Sequence, residues 1–202
     1  MPRLRGAFRT LKGRSPDDPV KQKVHLERLS QAFADLRRMT KISCWHARQA
    51  ENISMWERYL HGTPGVAVAS TVSALKCSLQ PFRLQPHYGE EPIAVGAVRY
   101  LDYAGEEMKD RSMLAVFFHK RAEFPDEAEV RAVLSLRMAA EFAVPIPDDG
   151  VVVAVDPPTL LQPVRAWPTA SSADVTALRT ATEAAGVRCP VLASSLACPP
   201  VY

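Results

Sequence analysis

No apolar run in this 202-residue chain approaches the roughly 18–20 residues that a helix needs to cross a bilayer. The longest, such as Val151–Val155, are far shorter. The opening residues are basic with no apolar stretch behind them, so they do not read as an export signal. Together these features predict a soluble cytoplasmic protein with no membrane partner. Cysteine is sparse: Cys44, Cys77, Cys189 and Cys198 contain no Cys-x-x-Cys pair. That removes the common zinc and disulfide frameworks and predicts reduced thiols and no metal site. There is no internal repeat and no low-complexity segment, although 17 prolines stiffen the loops.

With 47% hydrophobic and 23% charged residues, the chain can bury a sizeable core. The reading is a basic arm over residues 1–16 and a single α+β domain over 17–202. The net charge of +3 hides an asymmetry. Residues 1–41 carry 11 Lys/Arg against 4 Asp/Glu, whereas the remainder carries 14 against 18. Arg3, Arg5, Arg9, Lys12 and Arg14 offer cations to nucleic-acid phosphates. No aromatic interleaving or binding module accompanies them, so a solvated or partner-facing arm stands beside the nucleic-acid reading.

Asp17 and Asp18 before Pro19 form a helix start, and Val20, Val24, Leu29, Phe33 and Leu36 recur at near-helical spacing as far as Arg37 and Arg38. Lys41–His46 reads as a strand. Gln49–His61 reads as a mostly buried helix ended by Gly62, with Ile53, Met55, Trp56, Tyr59 and Leu60 on one apolar arc and Glu51 at its border. Gly65–Ser70 reads as a buried strand, followed by Thr71 as the cap of a short helix over Ser73–Leu79. After a proline-rich loop over 80–92, Ile93–Tyr103 alternates as one long strand. Ser112–Phe118 fits helix or strand, and Val130–Leu136 has strand spacing. The rest supplies strands at Val151–Val155, Val164–Trp167 and Val187–Ala193, a helical turn at Thr159–Gln162, and a helix over Ser172–Ala185 closed by Gly186. Strands outnumber helices, which predicts a small, mixed, mostly antiparallel sheet with flanking helices.

Chemistry-bearing residues gather in two places. The stretch Ser43–Thr71 holds two of the three Trp and two of the five His. There Trp45 or Tyr59 offers a face on which a base or nicotinamide ring stacks. Trp56 reads as core packing, His46 reads equally as a structural or a site histidine, and His61 complements a helix C-terminus. Farther on, Glu127 and Glu129 stand two apart at the start of a strand, so both can face one cleft and divide acid, base or hydroxyl-binding roles. The plainer reading is a surface salt-bridge ladder with Lys120, Arg121 and Arg131, which leaves Glu129 partly exposed. The two groups predict a shared concavity holding His46, Trp56, Tyr59 and Glu129.

The blocks Ser43-Cys44-Trp45-His46, Glu51, Met55-Trp56-x-x-Tyr59, Val66-Ala67-Val68, Val98-x-Tyr100-x-Asp102-Tyr103, His119-Lys120-Arg121-x-x-Phe124 and Glu127-x-Glu129-x-Arg131 resemble those of a widespread, largely uncharacterised bacterial family. The likeness covers about residues 40–135. Members of that family carry additional opening strands and an acidic-aromatic-Glu-Gly turn. Here Arg5 stands in place of the acidic residue, which implies either an N-terminally shortened version with part of the site missing or a partner chain or further domain that supplies what is absent.

The order Ser70-Thr71 at a strand end and then Glu127-x-Glu129 on a later strand is similar to ADP-ribosyltransferases. That resemblance implies a split sheet holding NAD as substrate, with no metal. It assigns Glu129, Glu127 and His46 to catalysis and Trp45, Tyr59, Ser70, Thr71, Lys120 and Arg131 to NAD binding. A carboxylate such as Glu129 would stabilise the oxocarbenium charge that grows on the ribose as the nicotinamide bond breaks. Three functions follow as expectations. One is a NAD-using transferase or glycohydrolase of a toxin or phage-defence system. Another is a catalytically silent, antitoxin-like module that binds a protein partner or a second copy. The last is a nucleic-acid-binding protein using the basic arm.

Overall fold

The computed structural model describes residues 18–110, 112–124 and 127–197. The basic arm with Arg3, Arg5, Arg9, Lys12 and Arg14 lies outside the described residues, as does Cys198. The fold is α+β. Where one domain is expected over 17–202, the described chain divides into two compact units, each drawn from two stretches. The first joins residues 18–47 to Pro81–Val152, and the second joins Arg48–Gln80 to the described residues from Val153 onward.

The first unit opens with α1 (Pro19–Met39), where the Asp18 carboxylate accepts from the Val20 N–H at 2.9 Å and Pro19 occupies the first turn. The chain passes directly into β1 (Thr40–His46), and the Thr40 hydroxyl donates to the Leu36 carbonyl at 2.7 Å. Strand β3 (Ile93–Ala97) and β6 (Glu129–Ser135) complete an antiparallel sheet in the order β1-β6-β3. As the central strand, β6 is buried along almost its whole length, with Val133 fully enclosed. Leu36 from α1 and Phe117 from a 3-10 turn (Ala115–Phe118) pack on Val133. Gly96 lets that turn come close, since a Cβ there would sit 3.2 Å from the Phe118 ring.

The long strand expected over Ile93–Tyr103 is instead two strands. Val98 gives its N–H to Glu129 at 2.8 Å, and β4 (Arg99–Leu101) then pairs in parallel with β5 (His119–Arg121). Alternation fixes which side chains share a face but not which strand lies alongside, so a change of partner leaves the pattern intact. A short helix, α4 (Arg137–Glu141), has no side-chain cap of its own. The buried Glu91 carboxylate serves instead, accepting from Ala139 at 2.9 Å and from Met138 at 3.3 Å.

In the second unit, α2 (Ile53–Leu60) is shorter than the helix expected over Gln49–His61. Asn52 caps it through the Ser54 N–H, and His61 and Gly62 turn left-handed at φ 48° and 81°. Nor is it mostly buried: Trp56 is enclosed, but Ile53 and Tyr59 stay 48% and 65% exposed. An eight-residue helix here contacts its neighbours along a strip narrower than its apolar arc. Strand β2 (Val66–Val68), expected to be buried, exposes both valines because it is an edge strand. It pairs antiparallel with β7 (Val164–Ala166), which pairs in parallel with β8 (Val191–Leu192).

Between these strands lie α3 (Val72–Ser78), capped by Thr71, and α5 (Pro157–Leu160). The strand expected over Val151–Val155 reduces to one bridge between Val155 and Leu79, and that over Val187–Ala193 shrinks to β8. The last long helix, α6 (Ser172–Ala184), starts with a reciprocal Ser171–Asp174 capping box. Among the described residues no helix is long and apolar enough to cross a membrane.

Candidate functional site

Glu129, the first residue of β6, is the centre of an ionic network in the first unit. Its Oε1 accepts from Lys120 Nζ and its Oε2 from Arg131 Nε, both at 2.7 Å. Lys120 also bonds Glu127, and its ammonium lies 5.3 Å from the centre of the Phe124 ring. Arg131 donates a further bond to the Phe117 carbonyl at 2.6 Å, and the Tyr100 hydroxyl accepts from the Glu129 N–H at 2.9 Å. Two carboxylates thus meet two cations, and the sum is neutral.

The geometry departs from the expected ladder. Glu129 is only 9% exposed, and Arg121 forms no ion pair among the described residues. Glu127 and Glu129 are brought together by a turn and not by the pleat of a strand, because Ala128 between them holds φ 39°. Its carbonyl accepts from Ala47 at 2.8 Å, tying the turn to the end of β1.

Cross-strand register extends the network. His46 stands opposite Glu129 and Cys44 opposite Arg131 on β1, and Gly96 faces Arg131 from β3. Residues two apart on a strand share a face, so His46, Cys44, Glu129 and Arg131 lie on one side of the sheet. Trp45, opposite Val130, lies on the other.

Burial pushes the Glu129 carboxyl upward, but hydrogen bonding with Arg131, Glu127 and Lys120 and the Arg131 charge outweigh it, holding the group well below the usual carboxylate range. Burial opposes the charged form of Lys120 too, and its bonds to Glu127 and Glu129 leave it raised. The Cys44 thiol, on an exposed residue, is pushed up first by desolvation among its neighbours and then by Glu129, with Arg131 opposing. Burial likewise raises Tyr103 against the charges of Arg131 and Arg121.

The remaining candidates belong to the second unit. Tyr59 projects from α2 into solvent. Thr71 accepts from the Ala74 N–H at 3.1 Å as the cap of α3, and the Ser70 hydroxyl lies 3.5 Å from the Thr71 carbonyl. Trp56 is core, its indole N–H on Glu51 at 3.3 Å. So the structure brings together Glu127, Glu129, Lys120, Arg131 and the facing His46, and assigns Tyr59, Ser70, Thr71 and Trp56 to a separate unit.

Sequence reasoning missed a second polar cluster. The Glu51 carboxylate accepts from Ser194 Oγ at 2.8 Å and from Ser195 N and Oγ at 2.6 and 2.5 Å, with Arg165 at 3.6 Å. Burial raises the Glu51 carboxyl, and these bonds and the Arg165 charge bring it below its ordinary value. Ser194 and Ser195 lie more than 140 residues away in sequence and Arg165 more than 110, so spacing carries no sign of them. Cys44 and Tyr100 were also missed as site residues. Strand alternation two residues from His46 was the available signal for Cys44.

Chemically, the Glu129 network is an immobilised, self-neutralised polar group. Among the described residues no three His, Cys, Asp or Glu side chains are grouped to hold a metal ion. No family model, curated protein or solved structure matches the chain.

Proposed function

We propose that the chain is a partner-binding module of the catalytically silent kind, and that its partner is an acidic protein. The observation that carries this reading is α1. Every residue from Asp18 to Arg28 is exposed, which leaves Val20, Val24 and Leu26 in solvent at 71%, 41% and 46% beside Lys21, Lys23 and Arg28. A half-helix of this length is marginal in water without a packing partner. Val20 and Val24 are one turn apart, the spacing with which a helix anchors in an apolar groove. Lys21, Lys23 and Arg28 outnumber Asp18 and Glu27 on this stretch, and the excess of cations favours an acidic rim.

The ionic network weighs the same way. A NAD-cleaving role asks Glu129 to hold a ribose hydroxyl and face a growing positive charge. Both of its oxygens are already engaged by cations 2.7 Å away.

The deciding assay is nicotinamide release from NAD by the purified chain, alone and with the products of neighbouring genes. No release is expected, and turnover by the wild type overturns the reading. A photo-crosslinking residue at position 24 should capture an acidic protein in the native host, whereas the same label at Val152, 93% exposed in the first unit, should not. Capture at position 24 should disappear with Val20→Glu. Equal capture at both positions, or none at position 24, removes α1 as the docking element.

A further inference from the structure

We propose that a groove in the second unit, between the end of α6 and the segment leading into β8, binds a small phosphomonoester of mononucleotide size. The cavity has a volume of about 460 Å³, within the range of small-molecule sites. Arg179, on α6, and Arg188, beyond the helix, both line it. Both are exposed, and neither has a carboxylate within 4 Å among the described residues.

Glu183 stands one turn after Arg179 on the same helix, where an ion pair is available by spacing, yet none forms. Two guanidinium groups without partners beside one cavity provide the forked donors that suit phosphate oxygens.

The backbone beside the groove is fixed by the closure of α6, so the cationic side chains and not the helix terminus must hold the anion. The N–H groups of Gly186 and Val187 bond the carbonyls of Glu183 and Thr182 at 2.9 and 3.1 Å, with Gly186 left-handed at φ 73°. This 6→1 and 5→2 closure occupies two carbonyls at the negative end of α6. It also fixes the direction in which the chain leaves toward Arg188. At the far end Val191 is buried and paired with Val164 in the sheet, so the second wall is anchored as well.

The lining is not uniformly cationic. Val191 and the half-buried Cys189 add apolar lining, and Glu183 is an acceptor for a hydroxyl. A bare inorganic ion would use only the arginines, whereas a phosphate carried on a hydroxylated, ring-bearing body uses all three parts.

The test is calorimetric titration of the full chain with adenosine monophosphate, inorganic phosphate and adenosine, for wild type and for the double variant Arg179→Gln/Arg188→Gln. Adenosine monophosphate should bind saturably and more tightly than inorganic phosphate, and the double variant should weaken it by about tenfold or more. Both arginines are exposed, so thermal melting of the variant should match wild type. Arg137→Gln, an exposed arginine of the first unit, should leave binding unchanged. Absence of saturable binding up to about 10 mM, undiminished binding by the double variant, or equal binding of adenosine overturns the proposal.

Discussion

Glu129 behaves as a structural ion before any other role is considered. A buried carboxylate with cations on both oxygens is costly to disturb from one side, since the partners keep their charges. Removing one member of a buried pair costs roughly 3–5 kcal/mol. Glu129→Gln should therefore lower the free energy of unfolding in urea by about 3 kcal/mol, where a solvent-facing ion pair would give less than about 1 kcal/mol.

The pH dependence has a definite sign. Glu129 and Glu51 both titrate below their ordinary value of 4.5 in the folded chain. Their contribution is then fully present above that pH and is lost as the pH falls toward the folded-state values. Urea midpoints measured across an acid series should fall below about pH 4.5, and Glu129→Gln should flatten the fall. Cys44 carries the opposite shift: in a chain whose other cysteines are serine, alkylation by iodoacetamide should have its pH midpoint above the ordinary thiol value of 9.0. A midpoint at or below 9.0 would show that desolvation and Glu129 together do not raise that thiol.

At the scale of elements, local chemistry was readable and lengths were not. Asp18, Thr71 and Gly186 do what their positions imply, because a cap or a left-handed turn is decided within a few residues. Helix α2 begins later than the sequence suggests because Asn52, a better cap than Gln49, sets its N-terminus and leaves Glu51 ahead of it for Ser194 and Ser195. Helix α4 offers the reverse case, with a cap 47 residues upstream in sequence. Glu91→Ala leaves two first-turn N–H groups without their acceptor, and should destabilise the chain by about 1–3 kcal/mol. Hydrogen exchange should rise first at Met138 and Ala139, and uniform exchange across β6 and α4 would argue against the remote cap.

The whole molecule divides the chain in a way no linker announces. The first unit takes β1 from residues before Ala47 and β3 and β6 from residues after Pro81. A fragment of residues 81–152 keeps the central strand and one neighbour but loses β1 and Leu36 from the Val133 core. That fragment should show no cooperative thermal transition by circular dichroism, and adding residues 1–47 in trans should restore one. Cooperative melting of 81–152 by itself would show that β1 is dispensable.

The sequence by itself determined the α+β character, the principal caps, the strand alternation of β6 and the charge contrast between the first 41 residues and the rest. These depend on interactions a few residues long or on composition. The tertiary structure alone decided that Glu127 and Glu129 are neutralised by Lys120 and Arg131, that Trp45 and His46 face opposite sides of one sheet, and that Tyr59 and Thr71 belong to a different unit from Glu129. Whether a carboxylate is a free reagent or a locked ion depends on which charges come within about 4 Å. That distance is set by strand pairing and turn geometry between residues far apart in the chain.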